Sequence, residues 1–191
     1  MCQVQKIKIK IYCCFGLEKA GLLHHITRGS AFALHGFTDA NWAISIDSGK
    51  SRRGYLVLFD QTPISWKSSK QRTVAHSSTE VEYKALPDGT AEVIWLQYLL
   101  TDLQVPSVSA PTIWCDNLGA TYLSANPIFY ARTKHVEVDY HFVRDRVAKK
   151  EMQIHFIPSQ DQLANDLTKP LSTDSFTAFR FKFRVDPPPS A

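Results

Sequence analysis

The sequence predicts an α/β domain built on a mixed five-stranded sheet with helices on its faces. Three strand-like segments follow one another in the first half of the chain, and two more alternate with helical segments in the second half. Strands joined by short turns form antiparallel meanders, whereas strands joined through helices are usually parallel neighbours. We therefore expect an antiparallel meander of three strands plus two parallel strands, flanked by helices.

The strand predictions rest on short apolar or alternating runs that are bounded by polar and turn-forming residues. The strictly alternating run KIKIKIY (6–12) predicts an exposed strand that precedes the sheet. The five segments assigned to the sheet itself are ALHGFTDANWA (33–43), GYLVLFD (54–60), PISWK (63–67), TIWCDN (112–117) and MQIHFIP (152–158).

The helix predictions rest on apolar periodicity and on capping residues. Ser77 is a good N-cap for the first helix. Pro87 predicts a kink or break in that helix near residue 86, since an interior proline removes a hydrogen bond and costs about 3 kcal/mol. Gly89 is expected to weaken the helix further. The later helical segments are LGATYLSA (118–125), VEVDYHFVRDRVAKK (136–150) and DQLANDLTK (161–169), the last with a capping-box spacing of Ser159 and Gln162 and a stop at Pro170.

The composition is typical of a folded protein of the reducing interior of the cell. The 191 residues are 44% hydrophobic and 21% charged, which suits one globular domain. The four cysteines form no disulfide framework, no apolar run has the length of a spanning helix, and the first residues lack signal-peptide features. We expect an intracellular protein, cytoplasmic or nuclear, without membrane association. The net charge of +4 permits a polyanionic partner without requiring one.

Two glutamates stand two places apart in the segment AHSSTEVEYKAL (75–86). Two helical steps rotate a side chain by about 200°, so Glu80 and Glu82 point to nearly opposite sides of a helix. Glu80 has the capping-box spacing from Ser77 and precedes Lys84 by four residues, the favourable order for an ion pair. Glu82 begins the apolar stripe, where an unpaired charge is costly. There it must be neutralised, paired or bound to a cation; the alternative is a rim position, where it reaches solvent or meets a lysine.

Three aspartates also occupy positions that are unfavourable for a charge. Asp39 lies within an apolar strand segment, Asp116 ends a buried strand, and Asp166 lies near the inner edge of the last helix. Each has an ordinary explanation as a turn residue, a helix N-cap or a solvated residue, and the cap explanation is strongest for Asp116. The four acids come from different elements that can converge at one sheet edge, where a hard divalent cation would relieve their repulsion. Zinc fits poorly, because the histidines and cysteines show no paired ligand spacing.

Five motifs occur in a fixed order along the chain: GFTDANWA, ISWKSSKQRTVAHSSTEVEYKAL, WCDN, ARTKHVEVDYHFVRD and DQLANDLTKPL. In this order and spacing they resemble the ribonuclease H domain of the Pol polyproteins of copia-type LTR retrotransposons, above all those of plants. The resemblance covers roughly residues 34–185 and is specific because several motifs are in register. It implies a ribonuclease H-like fold over residues 34–170, in agreement with the element order.

The resemblance also implies an activity and a set of site residues. The family cuts the RNA strand of RNA–DNA hybrids with two Mg²⁺ ions, for which Mn²⁺ is the expected substitute, and no small-molecule cofactor is implied. Glu82 rather than Glu80 matches the glutamate of the family's E-x-x-A motif, here EYKA (82–85). The catalytic and metal-binding acids implied in this sequence are Asp39, Glu82, Asp116 and Asp166.

Polar and basic residues near these acids are the candidates for contacts with nucleic acid. Ser78 and Asn117 are placed to hydrogen-bond 2′-hydroxyl groups, which distinguish RNA from DNA. A basic motif is the candidate for backbone phosphates, with an ordinary solvated loop as an equal alternative. Its residues are Arg132, Lys134 and His135.

Several features depart from the family. Residues 1–33 are interpreted as a divergent lead-in, a remnant of a polymerase connection, and residues 171–191 as a C-terminal extension with a proline-rich tail. No Tyr-x-Asp-Asp polymerase motif is present, so a reverse transcriptase would be supplied separately. His155 is the nearest match to a histidine of cellular ribonucleases H, but its place on a strand argues against that role. These departures, with Pro87, leave the alternative of a catalytically dead remnant that at most binds nucleic acid.

Overall fold

The computed structural model describes residues 23–24, 32–42, 50–71, 74, 77–105, 109–125, 137–183 and 185–186. The predicted strand at residues 6–12 therefore lies outside the described residues. The strands of the described part are β1 (Leu23–His24), β2 (Leu34–Asn41), β3 (Arg52–Phe59), β4 (Thr62–Lys70), β5 (Thr112–Cys115), β6 (Gln153–Phe156) and β7 (Val185–Asp186). The helices are α1 (Ser78–Tyr83), α2 (Leu86–Asp102), α3 (Leu118–Ala125), α4 (Glu137–Ala148), α5 (Asn165–Thr168) and α6 (Thr173–Lys182).

Five of the strands form one mixed sheet in the order β4-β3-β2-β5-β6. β2, β3 and β4 are antiparallel, whereas β5 is parallel to β2 and β6 is parallel to β5. This is the predicted meander of three antiparallel strands plus two parallel strands, so the predicted fold class is confirmed. β1 and β7 pair antiparallel in a separate two-stranded sheet.

Both faces of the five-stranded sheet are covered. Val57 of β3 packs in the core formed with α1 to α4, and its neighbour Leu56 packs in the core formed with α5 and α6. Both side chains are almost completely buried, as expected for a strand with helices on its two faces. None of the helices in the described part of the chain has the length and apolar character needed to cross a bilayer.

The last predicted helix is wrong in its extent. Residues 159–164 form turns, and only the single helical turn of α5 follows them. The capping box of Ser159 and Gln162 does not form, because both side chains bond elsewhere. Gln162 Nε2 donates to the carbonyl oxygens of Thr38 and Trp114 on β2 and β5.

A further helix, α6, was not predicted from the sequence. Its N-cap is Ser172, whose Oγ accepts a hydrogen bond from the backbone N–H of Ser175 at 3.1 Å. Phe179 and Phe183 on and after this helix pack beneath the sheet with Leu56. Ser172 could have indicated the start of this helix from the sequence. The apolar periodicity of the helix is weak, however, and phenylalanines such as Phe181 are exposed.

The helix break predicted at Pro87 is confirmed. α1 ends at Tyr83 and α2 begins at Leu86, so Pro87 lies in the first turn of a new helix. A proline is well tolerated there because the first N–H groups of a helix have no partner within it. The predicted cost of about 3 kcal/mol for an interior proline therefore does not apply.

Gly89 lies where α2 packs closely on β2. A Cβ atom on this residue would stand 2.5 Å from Thr38 Cγ2 and 3.5 Å from Tyr55 Cβ. Thr38 immediately precedes Asp39. The distance between α2 and the strand that holds this acid therefore depends on residue 89 being a glycine, which has no side chain. Gly89 is thus required for close packing. From the sequence this residue was expected only to weaken the helix, and its packing role was not predicted.

We expect overpacking by Gly89→Ala to cost about 3 kcal/mol, the upper end of the typical range of about 1–3 kcal/mol, because the added Cβ would stand only 2.5 Å from Thr38 Cγ2. This loss should exceed the helix-propensity gain of about 1 kcal/mol and lower Tm by about 5 °C. Urea unfolding measures the change, and Ala91→Gly at an exposed position of the same helix measures the propensity difference alone. A Gly89→Ala variant that is more stable than the parent would contradict the close packing.

Candidate active site

Three acids meet at the edge of the sheet where β2 and β5 have their carboxyl ends. Asp39 lies near the end of β2, and Asp116 directly follows β5. The two strands are parallel neighbours in which Thr38 is paired with Cys115, so both aspartates lie at the same edge. Glu82 reaches this edge from α1, which packs against β2.

Glu82 lies at the centre of the acidic group. Its Oε2 accepts a hydrogen bond from the backbone N–H of Ala40 at 3.1 Å, and its carboxyl group hydrogen-bonds to that of Asp39. Ligand atoms of Glu82, Cys115 and Asp116 lie within 4.8 Å of one another. The Glu82 side chain is buried, so the alternative of a solvent-exposed rim position is excluded.

Glu80 has a different environment, as the helical geometry predicts. Its Oε1 forms an ion pair with Lys84 Nζ at 2.6 Å, and both side chains are 11% exposed. Ser77 Oγ accepts the backbone N–H of Glu80 at 3.2 Å, which confirms Ser77 as the N-cap. The two glutamates are therefore divided between a helix-stabilising pair and the acidic group.

Burial and mutual repulsion raise the pKa values of the clustered acids. Burial, followed by the charges of Asp39 and Asp116, raises the pKa of Glu82 to about 9. Burial also raises the pKa of Asp39 above its ordinary value, although a hydrogen bond from Thr168 opposes the shift. At neutral pH the pair formed by Asp39 and Glu82 therefore retains a proton. A bound cation would reverse this preference by stabilising the carboxylates.

The donor set of this group fits a hard divalent cation. Three of the converging side chains offer carboxylate oxygens, the ligands that Mg²⁺, Mn²⁺ and Ca²⁺ prefer. Cys115 is also near, but burial raises the pKa of its thiol well above the usual range, so it stays protonated and binds metal poorly. The residues that could hold a cation are Asp39, Glu82 and Asp116.

Asp116 does not cap the helix that follows it. Asn117 does so instead, since its Oδ1 accepts the backbone N–H of Ala120 at 3.0 Å. Asp116 Oδ2 accepts a hydrogen bond of 2.7 Å from Ser159 Oγ, in the turn before α5. The cap alternative for Asp116 is therefore wrong, and its carboxylate remains directed to the acidic group.

Asp166 lies in the first turn of α5 and is half-buried. Within the described residues, the ligand atoms that lie within 4.8 Å of one another belong to Glu82, Cys115 and Asp116, so neither Asp166 nor Asp39 joins this group. Asp39 is linked to it through its hydrogen bond with Glu82. Two other residues of this segment act on the site: Thr168 hydrogen-bonds to Asp39, and the charge of Lys169 lowers the pKa of Asp39. The role of Asp166 as a fourth acid stays a prediction.

Only some of the residues that are predicted to contact nucleic acid lie in the part of the chain that the structure describes. Ser78 is exposed at the start of α1, and Asn117 is half-buried beside Asp116 with Oδ1 engaged in the helix cap. His155 lies on β6, where its Nε2 is 3.0 Å from Gln153 Oε1 and its ring contacts Trp114. The basic motif residues Arg132, Lys134 and His135 lie outside the described residues.

Three polar residues that contact the site were missed from the sequence. Ser159 bonds to Asp116 across 43 residues, and Thr168 bonds to Asp39 across 129 residues. Gln162 bridges the carbonyls of β2 and β5 just before the two aspartates. No local pattern signals contacts between such distant positions, although the polar residues around Asp166 were visible as a group.

Comparison with known proteins shows which proteins the chain is related to. It is 43% identical over 169 residues to the retrovirus-related Pol polyprotein from transposon RE1 of Arabidopsis thaliana, covering 87% of this chain and 12% of that protein. It is 38% identical over 148 residues to the corresponding polyprotein of transposon TNT 1-94 of Nicotiana tabacum, covering 78% of this chain and 11% of that protein. The chain is a homologue of plant-transposon Pol polyproteins. This Pol homologue spans about a tenth of the length of these relatives, and no protein-family model matches it.

Solved structures show that the fold is that of ribonuclease H. An N-terminal RNase H domain from Mycobacterium tuberculosis superimposes with a TM-score of 0.51 at 13% identity, covering 78% of the Pol homologue and 97% of that chain. LC11-RNase H1, isolated from compost, gives a TM-score of 0.52 at 12% identity, covering 72% and 96%. At this level of identity the likeness concerns the fold alone, and the site rests on the residues described above.

Proposed function

We propose that the Pol homologue hydrolyses the RNA strand of RNA–DNA hybrids in a reaction that depends on two Mg²⁺ ions. The observation that supports this most is the convergence of Asp39, Glu82 and Asp116, from three elements, at the carboxyl edge of a ribonuclease H fold. In their charged form, grouped and buried carboxyls are unfavourable unless a cation neutralises them. Homology to transposon Pol polyproteins supports a nucleic-acid substrate.

The side chains have distinct roles in this proposal. Asp39, Glu82 and Asp116 hold the ions through carboxylate oxygens, with Asp166 as the fourth acid. The chemistry that bound Mg²⁺ supplies is activation of water and stabilisation of charge on the scissile phosphate. Glu82 must lose its proton for this, and Ser159 keeps one oxygen of Asp116 fixed by its hydrogen bond. Mn²⁺, with the same ligand preference, is the expected substitute.

Basic and polar residues around the acids suit a polyanionic substrate. Arg52 and Lys70 are paired across β3 and β4, close to the strand partner of Asp39, and Lys169 follows α5. None of these three side chains forms an ion pair within the described residues, so they are further candidates for backbone phosphates beside Arg132, Lys134 and His135. Ser78 and Asn117 are the candidates for 2′-hydroxyl contacts, and LC11-RNase H1 has been solved in complex with an RNA/DNA hybrid.

The alternative is a remnant that binds nucleic acid without turnover. Pro87 was an observation in its favour, since a helix break next to Glu82 could misplace the carboxyl group. Glu82 nevertheless bonds to Ala40 N and Asp39, and the proline occupies a tolerated position.

A cleavage assay tests the proposal. The chain is incubated with a hybrid that is labelled on its RNA strand, with Mg²⁺, with Mn²⁺ or with EDTA, and RNA and DNA duplexes of the same sequence serve as controls. We expect the RNA strand of the hybrid to be cut only with a divalent cation and the DNA duplex to stay intact. Hybrid binding without any cleavage by the folded chain would favour the remnant, and failure to bind hybrid would exclude both functions.

A further inference from the structure

The α5 segment lies directly over a glycine that is paired with Asp39. Gly54 of β3 is the strand partner of Asp39 in the antiparallel register. A Cβ on Gly54 would stand 3.0 Å from Leu167 Cβ and 3.2 Å from Thr168 Cγ2. Ser68, the β4 partner of Gly54, donates its hydroxyl to the carbonyl of Leu167 at 2.6 Å. The sheet thus fixes this segment beside the Asp39 carboxyl group.

The contact that results is a buried hydrogen bond between Thr168 and Asp39. The Thr168 side chain is almost completely buried, and its Oγ1 bonds to Asp39 Oδ2 and also lies 3.0 Å from the carbonyl oxygen of Asn165. A threonine hydroxyl has one proton, so it donates to only one of these acceptors at a time. Because the buried Thr168 hydroxyl has few other acceptors within reach, its hydrogen bond limits how the Asp39 carboxyl group can rotate.

We propose that Thr168 is a positioning residue for the cation site. Its hydroxyl holds Oδ2 of Asp39 and thereby leaves Oδ1 to the cation, whereas its methyl group only fills the space above Gly54. The inference rests on the proposed function, because it assigns Asp39 as a cation ligand. Groups that orient metal ligands in this way typically change metal affinity about 10–100-fold when they are removed.

Two substitutions separate the hydroxyl from the methyl group. Thr168→Val keeps the Cγ2 methyl that faces Gly54 and replaces the hydroxyl, whereas Thr168→Ser keeps the hydroxyl and removes the methyl. If the hydroxyl positions Asp39, Thr168→Val should weaken cation binding at least about tenfold and Thr168→Ser should stay within about twofold of the parent. If the residue only fills space, Thr168→Ser should be the more damaging change.

Thr90→Val is the matched control for removing a buried threonine hydroxyl. Thr90 lies on α2, is completely buried, and its Oγ1 has no hydrogen-bond partner among the described residues. Its substitution should leave the affinity for cations unchanged. Urea unfolding of all variants shows whether each one is folded at the temperature of the assay.

The first measurement is calorimetric titration of the full chain and its variants with Mn²⁺ and Mg²⁺, without nucleic acid. The second is the dependence of hybrid cleavage on Mg²⁺ concentration, in which Thr168→Val should shift the half-maximal concentration at least about tenfold and leave the KM for hybrid unchanged. Equal cation affinity of the Thr168→Val variant and the parent would overturn the positioning role.

The titration also separates this inference from the proposed function. A parent chain that binds cation but does not cut hybrid contradicts the function, and the comparison of Thr168→Val with Thr168→Ser still decides the role of Thr168. A parent chain that binds neither cation contradicts both.

Discussion

Glu82→Gln is expected to abolish Mg²⁺-dependent cleavage of an RNA–DNA hybrid, whereas Glu80→Gln is expected to retain it. The Glu82 carboxyl group lies between Asp39 and Asp116, and a glutamine there has no anionic oxygen for a cation. Losing one preorganised charge-stabilising group commonly lowers kcat by about 100- to 1,000-fold. Because Glu82 is central to the cluster, we expect a loss of at least about 100-fold.

Glu80→Gln is a demanding control because it is the same chemical change two residues away. It removes the ion pair with Lys84, whose side chain is nearly buried, and should lower the free energy of unfolding by about 2 kcal/mol. Cleavage should nevertheless stay within about threefold of the parent at a temperature where both variants are folded, since only stability is affected. Initial rates under saturating hybrid measure the difference. Equal losses in the two variants would contradict the division between the glutamates.

The same Glu82→Gln substitution is expected to stabilise the metal-free protein at neutral pH. The folded-state pKa of about 9 lies above the ordinary value of 4.5, so the contribution of Glu82 to stability is fully present below about pH 4.5. It is lost progressively as the pH rises towards about 9. At pH 7 the loss amounts to about 3 kcal/mol, and a neutral glutamine does not incur it.

Urea unfolding at pH 5, 7 and 9 in EDTA measures this effect. The parent should lose stability as the pH rises, and the variant should show a much flatter dependence. Added Mg²⁺ should stabilise the parent by about 2.7 kcal/mol at 100 times Kd and should leave the variant nearly unchanged. A parent chain with a flat pH profile would show that Glu82 is not held in its protonated form.

Part of the structure follows from local pattern in the sequence. The sheet was predictable because its strand segments are short apolar or alternating runs bounded by polar and turn-forming residues, and its topology because only the later segments alternate with helical ones. The division between Glu80 and Glu82 was predictable too, since helical geometry places residues two apart on opposite sides. Both environments are observed as predicted.

Other features depend on packing and have no local signal. Pro87 and Gly89 both appeared unfavourable for a helix, yet one occupies the first turn of α2 and the other lets α2 approach Thr38. Gln162 looked like a capping residue, but the carbonyls of two strands are its partners. α5 is short for a related reason: a side chain that bonds to the sheet, such as that of Gln162, is not available to cap a longer helix.

The sequence by itself determined the order of the five sheet strands and of the helices up to α5, the side of the helix on which each glutamate lies, and the break at Pro87, because these depend on neighbours within a few residues. Only the tertiary structure decided which polar groups touch the acids: Ser159 on Asp116 and Thr168 on Asp39. These contacts join residues 43 and 129 positions apart. Their geometry is set by how α5 and its preceding turn pack on the sheet, which no local pattern encodes.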